Sequence, residues 1–157
     1  MSSVVITSAV RTAVGTARKG SLANTPPEVL AAAVIKAAVE RSGFTPDRID
    51  DVVMAESLYG GGAIARYAAV ELGIIQAAGM AVNRHCAGGL SAVGVAAGAI
   101  LAGMERVVVA GGVNSNRRSS VCINARYCLI SAFFGSVRMR TNSSLPSGSS
   151  STRIGNR

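Results

Sequence analysis

The residues best suited to chemistry are Asn83-Arg84-His85-Cys86-Ala87-Gly88-Gly89. The thiol follows a short apolar run and precedes a long segment rich in Ala and Gly, the order of a strand passing into a helix. The first turn of a helix leaves backbone N–H groups unpaired, and the helix dipole favours an anion beside them. The thiolate, not the thiol, is the nucleophile, so Cys86 stands where nucleophilic catalysis would put a cysteine. Ala87-Gly88-Gly89 carries almost no side chain, which lets a substrate and a backbone come close. The competing reading is a buried thiol acting as a small hydrophobe. His85 tempts one to write a Cys-His pair. Adjacent residues at a strand end point in different directions, so His85 reads as a packing or interface residue rather than a base.

Two other stretches look chemical and are weaker. Gly15-Thr16-Ala17-Arg18-Lys19-Gly20-Ser21 suggests a phosphate loop, but its Lys precedes the second Gly instead of following it. Gly60-Gly61-Gly62-Ala63-Ile64-Ala65 matches G-x-G-x-x-A between a strand and a helix. A dinucleotide site also wants an acid roughly 20 residues on, where this chain has Val82. The three cysteines, Cys86, Cys122 and Cys128, fit neither a disulfide framework nor a zinc spacing. They fit a reducing compartment, and the N-terminus lacks the order of a secretory signal, so a cytoplasmic location is expected. No metal site and no bound cofactor are expected.

The elements that must position Cys86 can be read from periodicity. Val4–Val10 is a strand. Thr25 before Pro26-Pro27-Glu28 opens a helix that runs to about Ser42 and stops at Gly43. Its apolar stripe reads as Val29, Leu30, Ala33, Ala37 and Ala38. Ile49–Ser57 is a second strand, Ala63–Leu72 a second helix ended by Gly73, and Met80–Asn83 a short third strand. Ala87–Ala102 is a long helix stopped at Gly103. Arg106–Ala110 is a fourth strand, closed by Gly111-Gly112. The order βαβαβαβ predicts an α/β fold with a mostly parallel sheet and helices on both faces. Cys86–Met104 holds 19 residues without a formal charge, but the run is mostly Ala and Gly and sits between strands, so no membrane span is expected.

Charge divides the chain. Residues 1–116 carry nine Lys/Arg and eight Asp/Glu, whereas 117–157 carry seven Arg, ten Ser and no acid. Such a tail could bind nucleic acid or an acidic membrane, but no interleaved aromatic pattern supports it and no nucleic-acid partner is expected. Cys122–Phe134 has the apolar content of a strand or helix, and Thr141–Arg157 reads as disordered. The abrupt loss of acids also fits a reading-frame shift. The expected organisation is a domain over 1–116 and an irregular Arg/Ser-rich tail over 117–157.

Residues 1–116 resemble the N-terminal half of the thiolases, the acyl-CoA C-acyltransferases. The segments VVITSAVRTAVG, IDDVVMAESLYGGG, ARYAAVELGI, AVNRHCAGGLSAVGVAAGAILAG and ERVVVAGGVNS carry the likeness in order. The resemblance implies thiolytic cleavage of a 3-ketoacyl-CoA, or the reverse Claisen condensation, with coenzyme A as co-substrate. It implies that Cys86 is the nucleophile that holds the acyl group as a thioester, with its backbone N–H in an oxyanion hole. It implies a homo-oligomer formed near the strand Met80–Asn83. Two departures are mild: Gly88 stands where C-x-S-G has Ser, and Asn114 where the family has Glu. The third is larger, because the C-terminal half that supplies two His and a second Cys has no counterpart. A lone chain of this kind is expected to be inactive. The alternative is a non-catalytic module that pairs with a full-length thiolase.

Overall fold

The computed structural model describes residues 4–16, 19–57 and 63–114, together with the backbone of 131–137. The elements are β1 (Val4–Arg11), α1 (Pro27–Ser42), β2 (Asp51–Glu56), α2 (Ile64–Glu71), β3 (Met80–Val82), α3 (Gly88–Leu101), β4 (Val107–Val113) and β5 (Ser131–Val137). They form one five-stranded sheet in the order β1-β5-β4-β2-β3. β2 pairs parallel with β3 and β4, and β5 runs antiparallel to both β1 and β4. β1 to β4 therefore all point the same way, and their C-terminal ends share one edge. The α/β class, the parallel majority and the alternation of elements are as the sequence predicts.

β5 falls inside 117–157, the stretch for which an irregular tail is expected. It overlaps the end of the apolar segment Cys122–Phe134. Residues 117–130 and 138–157 lie outside the described residues, as do Cys122 and Cys128.

The side-chain alternation of the strands splits the core in two. Val52 and Met54 of β2, with Val107, Val109 and Val113 of β4, meet α1 and α2 on one face. Val53, Val108 and Ala110 meet Ala92, Ala96 and Ile100 of α3 on the other. A strand covered on both faces reads as an unbroken apolar run, which is why β2 and β4 show no polar alternation.

Several boundaries differ from expectation for physical reasons. Thr25 does not cap α1. The cap is Pro26 in extended geometry, without a side-chain bond, and Pro27 takes the first helical position. The buried stripe of α1 is Leu30, Ala31, Val34, Ile35, Ala38 and Val39, while Val29 is 53% exposed. In an Ala-rich helix nearly every position is apolar, and the bulky Val34, Ile35 and Val39 choose the buried face. Gly111 and Gly112 do not end β4. The strand runs through them because a Cβ on Gly112 would stand only 3.0 Å from Ala55 Cβ, so the missing side chain is what lets β4 and the head of α3 share that space.

Candidate active site

Two acids fix the starting edge of the sheet, opposite Cys86. Asp50 Oδ2 accepts from the N–H groups of Arg106 (2.7 Å) and Val107 (2.8 Å), tying the start of β4 to that of β2. Asp51 Oδ1 accepts from Val52 N (2.7 Å) and Gly79 N (2.8 Å), which places the segment entering β3. Glu105 lies by this pair. Partial burial, and then repulsion from Asp50 and Asp51, raise its pKa above the ordinary carboxylate range.

The segment before β3 is also held from α2. Arg66 Nη1 donates to the carbonyls of Ile75 (2.9 Å) and Ala77 (2.6 Å). Gly79 has a φ of +81°, and a Cβ there would meet Arg66 N and Cα at 2.7 Å. Only glycine passes so close in that conformation. β3 then has three residues, paired with β2 from Val53↔Met80 to Ala55↔Val82.

After β3 the chain turns sharply. Asn83 Oδ1 accepts from His85 N at 3.0 Å, and His85 adopts the left-handed region at φ +44°. Residues His85–Ala87 form a single tight turn, closed by Ala87 N donating to Arg84 O at 3.0 Å. α3 follows at Gly88, with Ala87 as a cap that offers no side-chain bond. Gly88 N donates to His85 O, so the tight turn leads straight into the helix. Cys86 is an exposed free thiol at this junction. The expected strand-to-helix placement holds, with one refinement: the cysteine sits in the turn, and the helix begins two residues later.

The head of α3 is pressed onto the sheet. A Cβ on Gly88 would lie 2.8 Å from Ala55 Cβ, whereas one on Gly89 would meet nothing within 4 Å. The Ala-Gly-Gly run thus has two roles: Gly88 is a packing glycine and Gly89 faces open space. His85 is exposed beside the thiol and packs in neither core. Among the described residues no hydrogen bond reaches Cys86, and no group of three His, Cys, Asp or Glu is placed to hold a metal.

Sequence reasoning missed Glu56. It is 5% exposed at the end of β2. Its Oε1 accepts from Ile64 N at 2.5 Å, which anchors the start of α2, and its Oε2 has no partner among the described residues. An acid closing an apolar strand run was the available signal. Thr12 Oγ1 and Asn114 Oδ1 are likewise buried, with no hydrogen-bond partner among the described residues. The residues Thr12, Glu56 and Asn114 stand at the ends of β1, β2 and β4, so these buried oxygens lie along the same edge that carries Cys86. The glycines 60–62 of the dinucleotide-like match lie outside the described residues.

Parallel strands that place an exposed thiol in the turn before α3, a helix packed by one face on the sheet, define an α/β domain. Comparison with known proteins makes this specific. The family model of the thiolase N-terminal domain matches residues 4–145, so the chain belongs to the thiolase family. An acetyl-CoA acetyltransferase of Cupriavidus necator is 47% identical over 115 residues, which cover 71% of this chain and 29% of that protein. One from Escherichia coli K12 is 40% identical over 129 residues, covering 80% and 32%. The crystal structure of the Bacillus anthracis acetyl-CoA acetyltransferase superposes with a TM-score of 0.71 at 38% identity, covering 74% of this chain and 30% of that one. The chain thus spans about three-tenths of the length of these relatives. The family match passes residue 116, where the quoted motifs stop.

Proposed function

We propose that this chain is the nucleophile-bearing part of an acyl-CoA acyltransferase and that Cys86 carries the acyl group. The observation that supports it most is the exposed thiol of Cys86 in the turn that opens α3, in a chain of the thiolase family. In the forward direction the Cys86 sulfur attacks the ketone carbon of a 3-ketoacyl-CoA, and its proton passes to a base. The bond between C2 and C3 breaks, its electron pair leaves as the enolate of acetyl-CoA, and a proton is returned to that carbon. The acyl thioester on Cys86 is then taken by the thiol of free coenzyme A, which restores the cysteine. On this reading the backbone N–H of Cys86 stabilises the oxyanion, as the thiolase resemblance implies.

Cys86 lacks a base among the described residues, and the single histidine, His85, is its neighbour in sequence. Repeated turnover therefore needs groups beyond these, which the thiolase resemblance assigns to a C-terminal half. The uncharged outer side of α3, with Leu90 79% and Leu101 56% exposed, supports further protein packing there. The division at residue 116 and a cytoplasmic setting belong to the same reading. No helix among the described residues is long and apolar enough to cross a membrane.

The test is intact-mass analysis after incubation with excess 3-ketoacyl-CoA. One acyl adduct in the wild type, absent from Cys86→Ala, is the expected result. An adduct that survives Cys86→Ala, or none in the wild type, contradicts the proposal.

A second reading, a homo-oligomer or a module pairing with a full-length thiolase, is favoured by β3. Among the described residues that strand pairs only with β2 and ends the sheet, with Met80 38% exposed, which supports pairing of its outer edge with another strand. Sedimentation of the wild type and Ala81→Pro tests it. An assembly dispersed by proline, as a dimer or as a complex with an added full-length thiolase, is expected; a wild type that stays monomeric alone and with that partner rejects it.

A further inference from the structure

We propose that Ala55 is a positioning residue for Cys86: its methyl group fills the notch left by Gly88 and Gly112 and sets how closely the head of α3 approaches the sheet. The proposal rests on the reading of Cys86 as a nucleophile. Ala55 is fully inside the sheet, paired with Val82 on one side and Gly112 on the other. Its methyl has no rotamer to change, so it acts as a rigid stop. A Cβ on Gly88 would stand 2.8 Å from it, and one on Gly112 3.0 Å. Carbon atoms in ordinary contact lie about 3.5–4.0 Å apart, so a Cβ at position 88 must push the helix head away by roughly 0.7 Å. Three facing positions therefore have room for one methyl group, and β2 supplies it.

The consequence falls on Cys86 because Gly88 is only two residues beyond it. Moving Gly88 moves the start of α3, and with it the positive end of the helix dipole, relative to the sulfur. It also explains why Gly stands at position 88 where C-x-S-G would have Ser: the Ala55 methyl already occupies the space that the serine Cβ needs.

The experiment compares the full chain with Gly88→Ser, Ala55→Gly and the double variant, and with Gly94→Ala as a control in the same helix, where an added Cβ meets nothing within 4 Å. Two quantities are read: the thermal midpoint, and the iodoacetamide alkylation rate of Cys86 in the folded protein, followed by peptide mapping. Gly88→Ser is expected to slow Cys86 at least about threefold, the scale of a weakened helix-terminus interaction. Adding Ala55→Gly is expected to return the rate to within about twofold of wild type, a non-additivity that only contacting sites show. Gly94→Ala should leave the rate unchanged. A merely structural contact would lower the midpoint of Gly88→Ser without changing the Cys86 rate of folded molecules, and that result overturns the proposal. So does a double variant no faster than Gly88→Ser. Should Gly88→Ser fail to fold, the double variant decides: folded with a wild-type rate supports the gauge, unfolded rejects it. Failure of the nucleophile reading shows separately, as a wild type that forms no acyl adduct whatever the coupling between positions 55 and 88.

Discussion

Replacing Gly79 by alanine tests how β3 is delivered to its place. Two costs add. At φ +81° a side chain pays about 1–2 kcal/mol for the left-handed region. The new Cβ would also meet Arg66 N and Cα at 2.7 Å, both backbone atoms of α2. Overpacking of this kind costs about 1–3 kcal/mol. The segment cannot swing aside cheaply, because Arg66 grips the carbonyls of Ile75 and Ala77 and Asp51 holds Gly79 N. Gly73 supplies the comparison. It has nearly the same conformation, φ +74°, and nothing within 4 Å of its added Cβ. Gly73→Ala therefore carries the conformational cost alone, and the gain in unfolded-state rigidity is common to both variants. The difference between them isolates the collision. With a urea slope of about 2 kcal/mol per M, Gly79→Ala should unfold about 0.5–1.5 M earlier than Gly73→Ala. Equilibrium urea unfolding followed by far-UV circular dichroism measures it. Equal midpoints would refute the claim that β3 is held by close contact with α2.

Other outcomes follow from the same contacts. Arg66→Ala strips two carbonyls of a charged donor and should cost about 2–4 kcal/mol in urea unfolding. Asn83→Ala leaves His85 N without its acceptor and should cost about 0.5–1.5 kcal/mol, while Asn83→Asp, which keeps an acceptor, should cost less. Glu105 holds its proton more tightly folded than unfolded. Across the window from the ordinary carboxylate pKa up to its raised value, the folded state therefore binds more protons and stability falls as pH rises. Glu105→Gln should remove that fall and raise stability at neutral pH, measured as thermal midpoint against pH.

Much of this fold is written in the chain at the level of single elements. Runs such as Val52–Met54 and Val107–Val109 announce strands buried on both faces, and Gly43, Gly73 and Gly103 each end a helix with a positive φ. Cys86 was legible because a thiol between a β-like run and an Ala/Gly-rich segment has few other places to be. What local pattern could not give was contact at a distance. The face of α1 depends on which of many apolar residues the sheet selects. The passage of β4 through Gly111-Gly112 depends on Ala55, far off in sequence. β5 enters the sheet between β1 and β4, a long-range choice that its own residues do not specify. Glu56 and Arg66 act through backbone groups eight to eleven residues away, and no short motif announces such a bond.

The central claim is that the fold around the α3 head makes Cys86 a nucleophile. The most direct measurement is its iodoacetamide alkylation rate at one pH, mapped to the Cys86 peptide, in the native protein and in the same protein unfolded by urea. Cys86 is exposed in the native state, so access alone does not favour the unfolded chain. The account predicts faster reaction when folded. An equal or slower native rate would contradict it.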